Sequence, residues 1–114
     1  MPHLIIDCSR NIAPDVADTG LTASAHAVML ASGLFDSKAI KSRTHISDDF
    51  HVGEQGREGS YIHLLIYLME GRTTEQKQML AKALFDVVLP HVPSSTSVTV
   101  DVRDLTQATY QKRA

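Results

Sequence analysis

A single cysteine, Cys8, leaves the chain unable to form an intramolecular disulfide, which excludes a secreted-type framework. A basic surplus is lacking as well. The 11 Lys+Arg stand against 13 Asp+Glu, with a pI near 6.3. Nothing here courts a phosphate backbone, and nucleic acid is not an expected partner. The longest strongly apolar stretch, Leu64 to Met69, is far too short to span a bilayer, so no membrane partner is expected. The N-terminus has neither a cationic leader nor an apolar run of signal length, and the expected location is cytoplasmic.

Familiar chemical signatures are missing too. Gly53, Gly56 and Gly59 form neither a dinucleotide fingerprint nor a G-K-[ST] phosphate cradle, and read as a flexible turn. His3, His26, His45, His51, His63 and His91 show no metal-ligand spacing, so no metal is expected. There is no G-x-S-x-G elbow. Cys8 falls on an apolar strand face, where packing is the ordinary role. The reading includes no cofactor.

What is present is an ordinary globular composition, 43% hydrophobic and 21% charged, in 114 residues and 12.5 kDa. The expectation is one domain over 1–114, with a core small enough that an oligomer would help it. Pro2 to Cys8 alternates as a strand, with Leu4, Ile6 and Cys8 on one face and His3, Ile5 and Asp7 on the other. A helix follows, carried by Leu21, Ala25, Val28, Met29 and Ser32. Asp18 or Thr19 can cap it, Gly33 suits its C′ position, and Pro14 belongs to the lead-in or a first turn.

Ala39 to Ser47 reads as a second strand that can run on towards Val52, with Lys41, Arg43 and His45 opposite Ile40, Ser42, Thr44 and Ile46. The run Gly53 to Gly59 is a loop near the midpoint. Tyr61 to Met69 is apolar on both faces, as in a central strand. Thr73 with Gln76 matches a capping box. Met79, Leu80, Ala83, Leu84, Val87 and Val88 then form a wide helical stripe that Pro90 and Pro93 end. Val98, Val100 and Val102 alternate with Thr99, Asp101 and Arg103 in a fourth strand. Thr106 to Ala114 reads as irregular or frayed.

The order predicts an α/β (α+β) fold built as a tandem β-α-β repeat, with halves of about 1–52 and 60–114. A helical crossover makes the strands of each half parallel, within a four-stranded mixed sheet. Two helices cover one face of such a sheet, and other copies of the chain are the simplest cover for the second.

Two features carry chemistry. If Met1 is removed, Pro2 presents a free secondary amine, whose reference pKa as an α-amino group is about 7.7–8.0. Burial and nearby cations favour its neutral form, which is a usable general base. A Met-Pro start is also common without any function. The second feature is Lys41, Arg43 and His45 on one strand face, together with Arg72 beside Gly71 at the start of the second helix. Alternate strand residues converge on one anion, and a helix start favours negative charge. The plainer alternative is a solvated strand face and a surface arginine.

Together these residues resemble the 5-carboxymethyl-2-hydroxymuconate isomerase family of the tautomerase superfamily. The resemblance rests on Met1-Pro2-His3 followed by an apolar triplet, then Asp7-Cys8-Ser9-x-Asn11-Ile12. Further on it takes in Gly33-Leu34-Phe35, Ile40-Lys41-Ser42-Arg43-x-His45, His63 and Gly71-Arg72. It implies a tautomerase-like fold, a homotrimer, a small carboxylate substrate and a site at a subunit boundary. The reaction implied converts a 2-hydroxymuconate-type dienol into a conjugated oxo acid during aromatic-compound breakdown. Pro2 would move the proton and Arg72 would hold a carboxylate or stabilise the enolate, with Lys41 and Arg43 binding substrate. Lys41 stands where the compared relatives carry arginine, and so lacks the bidentate fork. The C-terminal tail also ends sooner than in those relatives, which would open one wall of the pocket. The rival readings are a noncatalytic small-anion-binding trimer of the same fold and a broad-specificity tautomerase of simpler enols.

Overall fold

The computed structural model describes residues 2–113. Strands β1 (His3–Ser9), β2 (Lys41–Ser47), β3 (Tyr61–Met69) and β4 (Ser97–Leu105) form one sheet in the order β2-β1-β3-β4. Parallel pairs β1–β2 and β3–β4 flank an antiparallel β1–β3 centre, the mixed sheet expected from two β-α-β halves. Leu4, Ile6 and Cys8 of β1 and Ile62, Leu64, Ile66 and Leu68 of β3 are fully buried. They pack in one cluster with Leu21, Ala25 and Met29 of α2 (Leu21–Ala31) and Leu80, Leu84 and Val88 of α3 (Thr74–Val88). Each buried leucine there contributes about 1.5–3 kcal/mol. The opposite face of the sheet carries His3, Ile5, Asp7, His63, Leu65, Tyr67 and Met69, all half-buried.

Several local expectations are corrected. A short helix, α1 (Ala13–Ala17), precedes α2, with Pro14 in its first turn. Asp18 ends α1, and the Thr19 hydroxyl donates to the Asp15 carbonyl. Neither caps α2, whose N-cap is Gly20 at φ 70°. The backbone between the two abutting helices passes through the left-handed region at Gly20, which glycine adopts without a Cβ penalty. Strand β2 begins at Lys41, because Ser37–Ala39 forms a 3-10 turn whose Lys38 N–H is bound by the Asp36 carboxylate at 3.1 Å. Val52 does not extend β2 but pairs with Gly56 across the midpoint loop.

The capping box forms as read. Thr73 Oγ1 accepts from Gln76 N–H at 3.1 Å, and Gln76 Oε1 accepts from Thr73 N–H at 2.9 Å. The apolar stripe of α3 is narrower than its sequence suggests. Met79 is 73% exposed and Ala83 is exposed, and both border a groove between α2 and α3. The tail is not simply frayed. Gln107–Thr109 makes a 3-10 turn, and Gln107 N–H donates to Glu70 Oε2 at 2.6 Å. Ala114 lies outside the described residues.

Candidate active site

Pro2 immediately precedes β1 and is fully buried. Its carbonyl accepts the Lys41 N–H at 3.1 Å, which ties the start of β1 to the start of β2. The register then sets His3 between Lys41 of β2 and Tyr67 of β3. Lys41, Arg43 and His45 share the exposed face of β2, as their alternation requires. Arg43 approaches His3, with 3.5 Å between its guanidinium and Nδ1. Lys41 Nζ donates to the Ala39 carbonyl at 3.0 Å. Burial, then the charges of Arg43 and Lys41, hold the His3 pKa below its ordinary value and favour the neutral imidazole.

Beside these residues lies a cavity of ≈ 490 Å³, within the range of small-ligand sites. Its walls come from His3, the Ser37–Ala39 turn, Lys41 and tail residues 110–113. Residues 110–113 of the tail therefore supply one wall of this cavity. Lys38, Lys112 and Arg113 join the cationic group in this way, and local sequence gave no sign of them.

Arg72 lies at the same end of the sheet, three residues past β3, but borders a separate hollow with Leu34, Glu70 and Gln76. It donates to the carbonyls of Leu34 at 2.6 Å and Met69 at 3.1 Å, and its guanidinium lies 5.2 Å from the Phe35 ring centre. Two of five donors are thus spent in fixing the guanidinium plane, and three remain. Within one protomer, then, Pro2, Lys41 and Arg43 gather around His3, while Arg72 is held apart by its own loop.

Other polar groups have local explanations. The Nδ1 atoms of His26, His63 and His91 each meet a hydroxyl, of Ser42, Thr99 and Thr19, at 2.6–2.7 Å. Cys8 is buried, and burial followed by the Asp7 charge raises its thiol pKa, which suits packing rather than nucleophilic attack. Asp7 accepts from Ser47 Oγ at 2.9 Å and Tyr61 OH at 3.0 Å, towards the far end of β1 from Pro2. Among the described residues no helix is long and apolar enough to cross a membrane.

The sequence profile of the 5-carboxymethyl-2-hydroxymuconate isomerase family matches residues 2–112. A 5-carboxymethyl-2-hydroxymuconate Delta-isomerase from Escherichia coli is 30% identical over 91 residues, which is 80% of this chain and 72% of that protein. The crystal structure of a 5-carboxymethyl-2-hydroxymuconate isomerase from Deinococcus radiodurans R1 has a TM-score of 0.88 at 19% identity, covering 98% of this chain and 88% of that one. A fused 4-OT symmetric trimer has a TM-score of 0.75 at 16% identity, covering 91% and 87%. At those identities the two structures speak to the fold alone.

Proposed function

The chain belongs to the 5-carboxymethyl-2-hydroxymuconate isomerase family, and from that premise we propose that Pro2, freed of Met1, shuttles a proton on a 2-hydroxymuconate-type dienol. The sheet with α2 and α3 packed on it is the tautomerase fold, and the chain is an isomerase of that superfamily. The reaction moves one proton from the enol hydroxyl to a carbon of the diene while the double bonds shift. No atoms are gained or lost overall. A single neutral amine with a matched pKa can take the proton and its conjugate acid can return it.

The observation that most supports this reading is the burial of Pro2 at the head of β1, hydrogen-bonded through its carbonyl to the strand that carries Lys41 and Arg43. A buried amine close to cations favours its neutral, basic form at neutral pH. Lys41 and Arg43 hold substrate carboxylates. Arg72, with its plane fixed and three donors unspent, meets the developing enolate charge, where such donors act most strongly.

A homotrimer belongs to the same reading. Ile5, Leu65, Tyr67 and Met69 leave a half-exposed apolar patch on the uncovered face of the sheet. The fused 4-OT neighbours are themselves trimers. Sedimentation equilibrium is expected to give three chains per particle, and a stable monomer at micromolar concentration would remove this part. The central test compares the protein with and without Met1, confirmed by mass, with dienol decay followed by ultraviolet absorbance. The processed form is expected to catalyse ketonisation, while retained Met1 turns the Pro2 nitrogen into a non-basic amide and abolishes it. Equal activity of the two forms would rule out Pro2 as the base.

A further inference from the structure

Two hydrogen bonds to a planar group fix its position but leave it free to tilt about the line joining the two acceptors. The Arg72 guanidinium is held in this way. Its Nη1 donates to the Met69 carbonyl at 3.1 Å and its Nη2 to the Leu34 carbonyl at 2.6 Å. The third contact is of another kind. Cζ lies over the Phe35 ring, 5.2 Å from its centre. A flat ring set against Cζ opposes the tilt that the two carbonyls allow, and its negative face attracts the cation.

The ring stands on backbone that is fixed on both sides. Gly33, at φ 74°, turns the chain out of α2, and the Ser32 hydroxyl accepts the Leu34 N–H at 3.3 Å. Beyond the ring, the Asp36 carboxylate accepts the Lys38 N–H at 3.1 Å and closes the turn that leads to β2. Leu34 and Phe35 are themselves half-buried and pack against the core. The two residues serve Arg72 differently. Leu34 contributes a main-chain carbonyl, which most residues could supply, whereas the contact at position 35 needs an aromatic side chain.

We propose that Phe35 is a positioning residue, whose ring sets the tilt of the Arg72 guanidinium and so aims its three unspent N–H groups. This deepens the proton-transfer reading and rests on the role given there to Arg72. Donors that meet charge developing in the transition state act through their direction, so a loosened guanidinium lowers the rate of the chemical step. Substrate affinity changes little, because Phe35 touches only Arg72's side of the site. An aliphatic residue can fill the same volume, but it has no face to hold a cation.

The test uses full-length processed protein as wild type, Phe35→Leu and Phe35→Tyr. Dienol turnover is referred to the folded fraction, and the order parameter of the Arg72 Nε–H, assigned with Arg72→Lys, is measured by NMR. Phe35→Leu is expected to lower kcat about tenfold, with KM within about twofold of wild type. Phe35→Tyr, which keeps the ring, should restore most of kcat. The order parameter should fall from a rigid value of about 0.85 to below about 0.6 in Phe35→Leu and stay high in Phe35→Tyr. Phe35→Met, unbranched and easily packed, replaces the leucine variant should that one not fold. If processed wild type turns over no dienol, the proton-transfer reading fails, and a guanidinium loosened by leucine but not by tyrosine still upholds Phe35 as its positioning group. An unchanged order parameter in Phe35→Leu, a loss confined to KM, or a loss that tyrosine does not restore would overturn the proposal.

Discussion

Replacing Arg72 with alanine should destabilise the fold as well as the reaction, and the structure says by how much. The guanidinium joins the loop after α2 to the β3–α3 connection through Leu34 and Met69 carbonyls, and stacks on Phe35. A hydrogen bond to a charged group contributes about 1.5–3 kcal/mol. A partly exposed cation–π contact adds roughly 0.5–1 kcal/mol. Arg72 is only part-buried, so water recovers much of what the two carbonyls lose, and the lower end of each range applies. Two such hydrogen bonds and one ring contact then cost about 3.5 kcal/mol. With a urea slope of about 2 kcal/mol per molar, the middle of the usual range, the midpoint should fall by roughly 1.7 M. Equilibrium urea unfolding at one fixed protein concentration measures this, since assembly would otherwise enter the result. A midpoint within error of wild type would show that these contacts carry no free energy. Activity must then be read on the folded fraction, where loss of oxyanion stabilisation on the order of 2–4 kcal/mol is expected. Full activity in folded protein would make Arg72 a loop clamp and nothing more.

His3 should titrate below its ordinary value of 6.5 in an NMR pH series, and Lys41→Ala should move it upward by removing one of the charges that oppose protonation. Because the folded state resists the proton, the unfolded chain binds more protons as pH falls below about 6.5. The contribution of His3 to stability is therefore complete above that pH and is lost on acidification; a folded-state pKa at or above 6.5 would contradict this. Gly59→Ala should destabilise by more than about 1 kcal/mol through overpacking, because a Cβ there would stand 2.6 Å from Val52 Cβ, and an unchanged thermal midpoint would show that the loop yields freely.

The legible parts of the fold were those written in local period. Alternation in residues 3–9 and 61–69 is the pattern of a sheet buried on one side and half-covered on the other, and the Thr73–Gln76 box spans a single turn. Gly20 was missed because Asp18 and Thr19 are good caps in isolation, and only the presence of α1 takes them away. Met79 was misplaced because periodicity identifies a helix face but not its width against a neighbour. The tail cations were invisible for a different reason. Lys112 and Arg113 acquire meaning only beside Lys38 and Lys41, some seventy positions away along the chain. Arg72 reads from the sequence as an anion-binding group at a helix start, with a surface arginine as the plainer alternative, but the Leu34 carbonyl that fixes its plane lies 38 positions earlier and leaves no local trace.

The antiparallel centre of the sheet relates the two halves by an approximate two-fold axis. The first residues of β1 and β3, His3 and Tyr61, pair with the first residues of β2 and β4, Lys41 and Ser97. Under that symmetry the positions of Lys41, Arg43 and His45 are occupied in the second half by Ser97, Thr99 and Asp101, and Pro2 corresponds to Ser60. The architecture is doubled, but its cationic chemistry is written only once. The second half contributes differently, through Arg72 after β3 and through Lys112 and Arg113 in the tail, so the two halves furnish unlike groups to one end of the sheet where a doubled plan could have furnished two like ones.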